Sequence, residues 1–181
     1  SELQTKVQSQ LKPFHHRITA SYSVISFRVG TPAERVAKSI PANRRMLLIH
    51  NVKATKEDIA TIEQHFTNGV YWVLCPESNR FISRTEPPVE TLRNAGVKIA
   101  IGTDSLASAR HLSMVENMRL LGDIPLDELL IWATRNGAEA LGLEFSLGDI
   151  RVGTSPGIVV IEGADLQNMR VTDQTRSRRI I

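Results

Sequence analysis

The sequence predicts an α/β fold in which parallel strands alternate with helices. Three short apolar runs rich in β-forming residues are each followed by a turn and a helical pattern, and they cover residues 45–49, 70–74 and 97–101. His50, Cys75 and Asp104, which stand at the C-terminal ends of these runs, lie 25 and 29 residues apart. That spacing is about the length of one strand, one helix and two loops. It indicates a parallel βα array, either a barrel or a doubly wound sheet.

Five segments carry helical patterns. Thr31 and Thr55 each offer a capping hydroxyl three positions before an acidic residue, and Pro32 stands at a first helical position. Gly96 and Gly142 stand where two further helices would end. The predicted helices are 32–39, 56–66, 89–94, 112–121 and 126–141. The last two follow one another, and we expect them to close the βα array.

The sequence changes character after Gly142. Apolar residues between 150 and 161 lie among glycines and prolines, and a last short segment, 178–181, follows after a loop. This pattern predicts short strands instead of further helices. At the other end of the chain, residues 1–20 carry no clear structural signal, and the composition of 23–29 allows a strand.

The composition is that of an ordinary globular protein. With 181 residues, of which 41% are hydrophobic and 23% charged, the chain can bury one core. No apolar run approaches the roughly 18 residues of a membrane span, and the single cysteine, Cys75, excludes an intramolecular disulfide and a cysteine-only zinc site. We therefore expect a cytoplasmic protein without a membrane partner. The net charge of +3 and the arginine-rich C-terminus give only a weak basis for nucleic-acid binding.

Two strand ends carry side chains that could do chemistry. In a parallel βα array, functional groups gather at the C-terminal ends of the strands, where the loops converge. His50 and Asp104 follow two separate strands, so they could meet there, with the carboxylate holding a metal or accepting a proton from water. Each residue alone has a structural alternative, a histidine bonded to backbone or an aspartate that caps a turn. These residues leave both alternatives open.

Three motifs resemble those of a known superfamily. They are Leu48-Ile49-His50-Asn51, Cys75-Pro76-Glu77-Ser78-Asn79 and Gly102-Thr103-Asp104-Ser105-Leu106-Ala107-Ser108. In order, spacing and residue type they resemble the last three strand-end motifs of amidohydrolase-superfamily enzymes, above all the chlorohydrolases and aminohydrolases that act on purines, pterins and triazines. The resemblance extends over about residues 45–162, and its segment 147–159 is similar to the point where such enzymes return to a small β-sandwich.

The resemblance implies the C-terminal part of a TIM-barrel-like (β/α)8 metal-dependent hydrolase. Residues 1–145 would supply a partial barrel, with about strands six to eight and the following helices, and residues 146–181 would supply strands of the small β-sandwich. The superfamily's metal site also needs a His-x-His pair at the first strand and a histidine near a glutamate at the fifth, and the sequence contains no His-x-His. We expect the remaining ligands to precede residue 1, so that this chain is a fragment with little or no activity alone.

The resemblance also implies roles for single residues. Asp104 would bind the divalent metal, zinc or alternatively iron, and would serve as the base for the attacking water. His50 would contact the water or the substrate in a single-metal enzyme, or bind the metal in a two-metal enzyme. Ser78 and Asn79 would contact substrate, unless Pro76 and Asn79 only shape a turn. Ser105 and Ser108 either hold the Asp104 carboxylate or cap a helix, and for Ser108 the cap is favoured.

Other polar residues receive structural interpretations. Glu77 and Arg80 are expected to be solvated, although they could meet a polar substrate. His65, late in a helix, is expected at the surface or near the negative end of the helix dipole, and His111 is expected at the surface.

Three classes of function are open at this point. The leading hypothesis is a metal-dependent hydrolase acting on carbon–nitrogen bonds other than peptide bonds, such as a deaminase, with a small-molecule substrate and metal-activated water. Because a partial barrel exposes sheet edges, we also expect a homo-oligomer or association with the missing N-terminal part. The alternative is a non-catalytic interaction module that assembles through these exposed barrel edges. A nucleic-acid-binding domain is a third hypothesis, which rests only on the basic charge.

Overall fold

The computed structural model describes residues 30–180. The elements are α1 (Pro32–Ser39), β1 (Met46–Ile49), α2 (Lys56–His65), β2 (Val70–Leu74), α3 (Pro76–Ser83), α4 (Val89–Asn94), β3 (Lys98–Ile101), α5 (Met114–Leu120), α6 (Leu126–Ala133), α7 (Arg135–Leu141), β4 (Val159–Glu162) and β5 (Arg176–Arg179). The three predicted strands of the βα array are confirmed, with helices between them. The predictions for the N-terminus, including a strand at 23–29, lie outside the described residues.

Strands β1, β2 and β3 form a parallel sheet in that order. Ile49 of β1 lies beside Val73 of β2, and Leu74 of β2 lies beside Ile101 of β3. The three C-terminal ends therefore lie at one edge of the sheet, and the loops that follow them converge there. Because β2 is the central strand, the chain that follows it emerges between the ends of β1 and β3.

Helices α1 and α2 begin as the sequence predicts. The Thr31 hydroxyl accepts a hydrogen bond from the backbone N–H of Glu34, and the Thr55 hydroxyl accepts one from the backbone N–H of Asp58. In return, the Asp58 carboxylate accepts a hydrogen bond of 3.1 Å from the Thr55 backbone N–H, which lowers the pKa of Asp58. Both capping boxes are thus complete. No helix within residues 30–180 has the length and apolar character needed to cross a membrane.

One hydrophobic core joins the sheet to the helices. Its most buried side chains come from β2, β3 and four helices, and they are Ile59, Trp72, Leu74, Leu92, Ile99, Met118 and Leu129. Polar contacts reinforce the packing at its margin. The Arg93 guanidinium donates to both carboxylate oxygens of Glu128, at 3.0 and 2.8 Å, and so links α4 to α6. This bidentate geometry is typical of strong arginine–carboxylate pairs.

The single helix predicted over 126–141 is wrong, because the chain forms two helices that meet at Thr134. The backbone of Thr134, with φ −128° and ψ −79°, is not helical, and its hydroxyl donates to the carbonyl of Leu130 at 2.6 Å. Just beyond the break, the Asn136 amide donates to the carbonyl of Ile99 in β3 at 2.7 Å. A tertiary contact to the edge strand β3 thus accompanies the break, while the apolar spacing of the sequence continues through it.

The C-terminal segment forms fewer strands than its sequence suggests. Strands β4 and β5 pair antiparallel, which confirms strands near 158–161 and 178–181. The apolar residues Ile150 and Val152 belong to no strand and are exposed. Gly153 has a φ of 89°, and a backbone turn at this position ends any extended run that includes Val152.

Candidate active site

His50 and Asp104 meet at the C-terminal edge of the sheet. His50 directly follows β1, and Asp104 lies three residues beyond β3. The distance between His50 Nε2 and Asp104 Oδ2 is 3.7 Å, which is too long for a direct hydrogen bond. The side chains are 39% and 30% exposed, so both remain accessible to water or a small molecule. The predicted meeting of these two strand ends is therefore observed.

The backbone is unusual at both strand ends. His50 has a φ of 72°, Asn51 of 48° and Asp104 of 59°. For a residue other than glycine, this left-handed conformation costs roughly 1–2 kcal/mol relative to the right-handed one. Such backbone persists where surrounding structure imposes it, and it is concentrated at functional sites. The residue types do not predict this feature, since histidine, asparagine and aspartate do not require a positive φ.

Two serine hydroxyls hold the Asp104 carboxylate. Ser78 Oγ donates to Asp104 Oδ2 at 2.6 Å, and Ser108 Oγ donates to the same oxygen at 2.9 Å. Ser78, and then Ser108, hold the pKa of Asp104 below its usual value, because both hydrogen bonds favour the ionised form. The favoured prediction that Ser108 caps a helix is wrong, since no helix begins at that residue and its hydroxyl faces the carboxylate.

Asn79 holds the imidazole of His50. The distance from His50 Nδ1 to Asn79 Oδ1 is 2.8 Å, and Asn79 is only 2% exposed. Because an amide oxygen can only accept, this contact is a hydrogen bond when His50 carries hydrogen on Nδ1. The other ring nitrogen, Nε2, is the one that faces Asp104. Asn79 Nδ2 is buried and has no hydrogen-bond partner among the residues that the structure describes.

Ser78 and Asn79 reach two different strands because they lie in the first turn of α3. The sequence analysis predicts no helix in this segment and at most a turn, whereas the structure forms a helix in which Pro76 occupies the first position. Neighbouring residues in an α-helix point about 100° apart, as 3.6 residues complete a turn. Since α3 follows the central strand β2, Ser78 can reach Asp104 on one side while Asn79 reaches His50 on the other. Pro76 was the available sequence signal for this helix.

Comparison with known sequences places the chain in a family. The sequence model described as the Amidohydrolase family matches residues 19–181. The chain belongs to the amidohydrolase family.

Individual relatives of this chain are named as deaminases. A 5-methylthioadenosine/S-adenosylhomocysteine deaminase from Moorella thermoacetica is 33% identical over 144 residues, which cover 74% of this chain and 33% of the relative. A protein of that name from Teredinibacter turnerae is 28% identical over 91% of this chain and 38% of its own length. This chain thus spans about a third of the length of the curated relatives that it matches.

Solved structures agree with the family assignment and with the predicted α/β class. An adenosine deaminase from Xanthomonas campestris with bound zinc is 30% identical and has a TM-score of 0.59. The match covers 67% of this chain and 29% of the length of that deaminase. The aminofutalosine deaminase of Helicobacter pylori has a TM-score of 0.65 over 82% of this chain and 41% of its own. At 24% identity, this second likeness concerns the fold alone.

The amidohydrolase chain has its one thiol close to this site, at Cys75. Burial, and secondly the negative charge of Asp104, raise the pKa of Cys75 to about 11. The group is therefore a neutral thiol near pH 7, which makes it a poor nucleophile. Its sulfur also packs tightly against the end of β3: a Cβ placed on Gly102 would lie 3.3 Å from Cys75 Sγ. The thiol has a packing role at this position.

The remaining polar residues that the sequence singled out have structural partners. Glu77 is not solvated as predicted: its side chain is 15% exposed, and Oε1 accepts a hydrogen bond of 2.9 Å from the Arg110 backbone N–H. This contact ties the loop after β3 to helix α3. Arg80 lies near the surface and pairs with Glu86 at 2.6 Å. His111 is 67% exposed, as expected for a surface residue.

His65 has a more specific place than the sequence suggests. Its Nε2 lies 2.9 Å from the carbonyl oxygen of Ile40. Because a carbonyl can only accept, the hydrogen lies on Nε2 in this residue. His65 therefore ties the end of α2 to the segment that follows α1, a structural role.

His50 and Asp104 offer only part of a metal site. An imidazole nitrogen and a carboxylate oxygen are both ligand types that zinc accepts, but catalytic zinc takes three protein ligands and structural zinc takes four. Among residues 30–180, no group of three or more His, Cys, Asp or Glu side chains is placed to hold a metal. The donor types fit zinc while their number is too small.

Proposed function

We propose that this amidohydrolase chain is the C-terminal part of a deaminase that acts on an adenosine-like small molecule. The observation that carries the proposal is the His50–Asp104 pair, which two strand ends with left-handed backbone hold 3.7 Å apart. Relatives named as 5-methylthioadenosine/S-adenosylhomocysteine deaminase and adenosine deaminase suggest the substrate class. In such a hydrolysis the oxygen of water bonds to the ring carbon, the carbon–nitrogen bond breaks, and the amino group leaves as ammonia.

Asp104 is the proposed base in this reaction. Its carboxylate is ionised near neutral pH, because Ser78 and Ser108 donate to Oδ2 and stabilise the negative charge. An ionised carboxylate that is 30% exposed can accept a proton from an attacking water molecule. The two serine contacts fix the direction of the carboxylate, so that little reorganisation is needed when the proton moves.

His50 is the proposed partner of that water or of the substrate. Asn79 fixes the ring through Nδ1 and leaves Nε2 directed to the space beside Asp104. In this position, Nε2 can accept a hydrogen bond from the water or bind a cation. Ser78 and Asn79 were predicted to contact substrate, but their burial, at 0% and 2% exposure, argues for a supporting role.

Asp104 and His50 are also the proposed contribution of this chain to a divalent metal site. Zinc suits the two donors, with iron as the alternative, and the zinc-bound Xanthomonas adenosine deaminase supports the choice. When bound, such a metal supplies the Lewis acidity that lowers the pKa of water. The other ligands would come from the part of the relatives that this chain does not span, so the isolated chain should have little or no activity.

We further propose that residues 1–145 belong to a (β/α)8 barrel and residues 146–181 to a small β-sandwich. The three parallel strands in sequential order, whose functional ends share one edge, are what a barrel segment requires. The antiparallel pair of β4 and β5 is separate from this sheet, as a second unit would be. The structural likeness to the Xanthomonas adenosine deaminase, which covers 67% of this chain, is consistent with the same interpretation.

The outer edge of β1 is the proposed site of association. No strand within residues 30–180 pairs with it, and its side chains Leu47 and Ile49 are 38% and 53% exposed. An unpaired edge with apolar side chains favours pairing with further polypeptide. The partner would be the N-terminal part of a barrel or a second copy of this chain. Native mass spectrometry of the 181-residue chain, with Leu47→Lys as the comparison, would distinguish an assembling edge from a monomer.

Metal content and ammonia release test the proposed function. Both would be measured on the protein isolated from its natural source and on the isolated 181-residue chain, with adenosine, 5-methylthioadenosine and S-adenosylhomocysteine as substrates. We expect about one zinc per chain in the natural protein, and loss of both zinc and ammonia release in Asp104→Asn. Asp123→Asn is the matched control, because the Asp123 side chain is fully exposed. Undiminished activity of Asp104→Asn would refute the assignment.

A further inference from the structure

We propose that Asn79 is a positioning residue that keeps the imidazole of His50 in the tautomer with hydrogen on Nδ1. Its catalytic consequence rests on the proposed deaminase function, but the tautomer is a property of the folded chain and can be tested without activity. Asn79 is the fourth residue of α3, and its backbone N–H donates to the Cys75 carbonyl at 2.9 Å. The amide is thus fixed by a helix before it meets the ring.

The contact between Asn79 and His50 is protected from water. Asn79 is 2% exposed, and its Oδ1 lies 2.8 Å from His50 Nδ1. Water therefore cannot easily replace the amide oxygen as the acceptor. In this low-dielectric setting, a ring nitrogen without hydrogen facing the amide oxygen would leave two acceptors in contact, which is unfavourable. The geometry selects the Nδ1–H tautomer.

Packing alone does not explain an amide at this position. Asn79 Nδ2 is buried without a hydrogen-bond partner among residues 30–180, and burying such a group lowers stability. A leucine, similar in size, would fill the space without this cost. The Asn79 oxygen, in contrast, makes a specific contact with a side chain at the strand end. The polar side chain is accounted for by what it does to His50.

The tautomer decides what lies between His50 and Asp104. With hydrogen on Nδ1, the lone pair of Nε2 and the Asp104 carboxylate are two acceptors 3.7 Å apart that face the same space. Such a space suits a cation or a water molecule that donates to both atoms. With hydrogen on Nε2, the ring would instead donate towards Asp104 and occupy the carboxylate. Asn79 therefore keeps the carboxylate available.

The alternative role for Asn79 is a substrate contact. That role needs an accessible polar atom, whereas the side chain is almost completely buried and its oxygen is already bonded to His50. In an active enzyme the two roles predict different kinetics. Loss of a positioning residue lowers kcat with little change in KM, while loss of a substrate contact raises KM. Asn79→Leu and the conservative Asn79→Asp separate these outcomes.

Nitrogen-15 NMR of the full 181-residue chain tests the tautomer directly. Long-range proton–nitrogen spectra would be recorded at a pH above the histidine titration range, where each neutral ring shows one protonated nitrogen and one unprotonated nitrogen. We expect His50 to carry hydrogen on Nδ1. His65 is the internal reference for a folded chain, because its Nε2 donates to the Ile40 carbonyl and it should show the opposite tautomer. A wild-type His50 with hydrogen on Nε2 would overturn the proposal without any variant.

Three variants extend the test. Asn79→Leu should exchange the two ring-nitrogen signals of His50, Asn79→Asp should retain an acceptor and the wild-type pattern, and Ser78→Ala should leave His50 unchanged. If Asn79→Leu keeps hydrogen on Nδ1 while the His65 signals are unaltered, the proposal is wrong. Absence of zinc or of ammonia release in the natural protein would refute the deaminase proposal and leave the tautomer result standing.

Discussion

Removal of the Ser78 hydroxyl should lower the free energy of unfolding, because Asp104 loses one of its two serine hydrogen bonds. Ser78 is 0% exposed and donates to Asp104 Oδ2 at 2.6 Å. A hydrogen bond to a charged group contributes about 1.5–3 kcal/mol to stability, and burial of the serine prevents water from taking its place at once. Because Ser108 still donates to the same oxygen, we expect Ser78→Ala to reduce the free energy of unfolding by a value in the lower half of that range.

A double-mutant cycle isolates this contact from other effects of the change. The set is wild type, Ser78→Ala, Asp104→Asn and the double variant, compared by urea unfolding with the fluorescence of the buried Trp72 and Trp132 as the signal. Asparagine is the correct replacement because Asp104 has a φ of 59°, a conformation that asparagine tolerates and that alanine would strain. The coupling energy should be about 1 kcal/mol or more.

The outcome that would refute this reasoning is a coupling energy within about 0.5 kcal/mol of zero, the range found for independent sites. Ser105→Ala is the matched control. The Ser105 hydroxyl accepts from the Ala107 backbone N–H at 3.3 Å, whereas only its backbone N–H supports the Asp104 carboxylate. Its coupling to Asp104→Asn should therefore be small. Equal coupling for Ser105 and Ser78 would mean that a change of fold, not a particular contact, is being measured.

Three further outcomes are expected. Gly163→Ala should destabilise the chain more than Gly122→Ala in urea unfolding: both have a φ of 72°, but a Cβ at Gly163 would lie 2.5 Å from a backbone oxygen, while the space at Gly122 is open. Iodoacetamide at pH 8 should modify Cys75 only after unfolding, because the thiol is buried and its pKa is raised to about 11; rapid labelling of the native chain would contradict this. Asp58→Asn should lower the free energy of unfolding at neutral pH, because the fold stabilises the ionised Asp58 carboxylate and so lowers its pKa. The difference from wild type should shrink as the pH falls below 3.8, where the carboxylate becomes protonated; a pH-independent difference would exclude this cause.

The parts of the fold that the sequence predicts correctly are those set by local chemistry. Thr31 and Thr55 mark the starts of α1 and α2 because a capping hydroxyl and an acidic residue three positions later satisfy backbone groups within one turn. The apolar runs likewise predict the strands β1, β2 and β3 correctly. The break at Thr134 could not be predicted in this way, because nearby Asn136 contacts β3 and the local sequence does not indicate that contact.

The candidate site divides in the same way. That His50 and Asp104 lie together follows from the regular alternation of strands and helices, which places both at one edge of the sheet. The roles of Ser78 and Asn79 depend on tertiary position, since they become the supports of two different strand ends only when their segment forms a helix. Pro76 could have indicated that helix, but Cys75 makes no capping hydrogen bond with its side chain, so the usual polar start signal is missing.

The position of α3 couples the two proposed catalytic groups. A single helical turn supports His50 through Asn79 and Asp104 through Ser78, so any shift of that turn moves both supports together. The turn is itself held by Glu77, whose backbone N–H donates to the buried Asn117 side chain at 3.1 Å and whose carboxylate accepts from the loop after β3. The distance between the imidazole and the carboxylate is therefore set by the helix that follows the central strand. This arrangement explains how two residues on non-adjacent strands, each with strained backbone, can keep one fixed relation to each other.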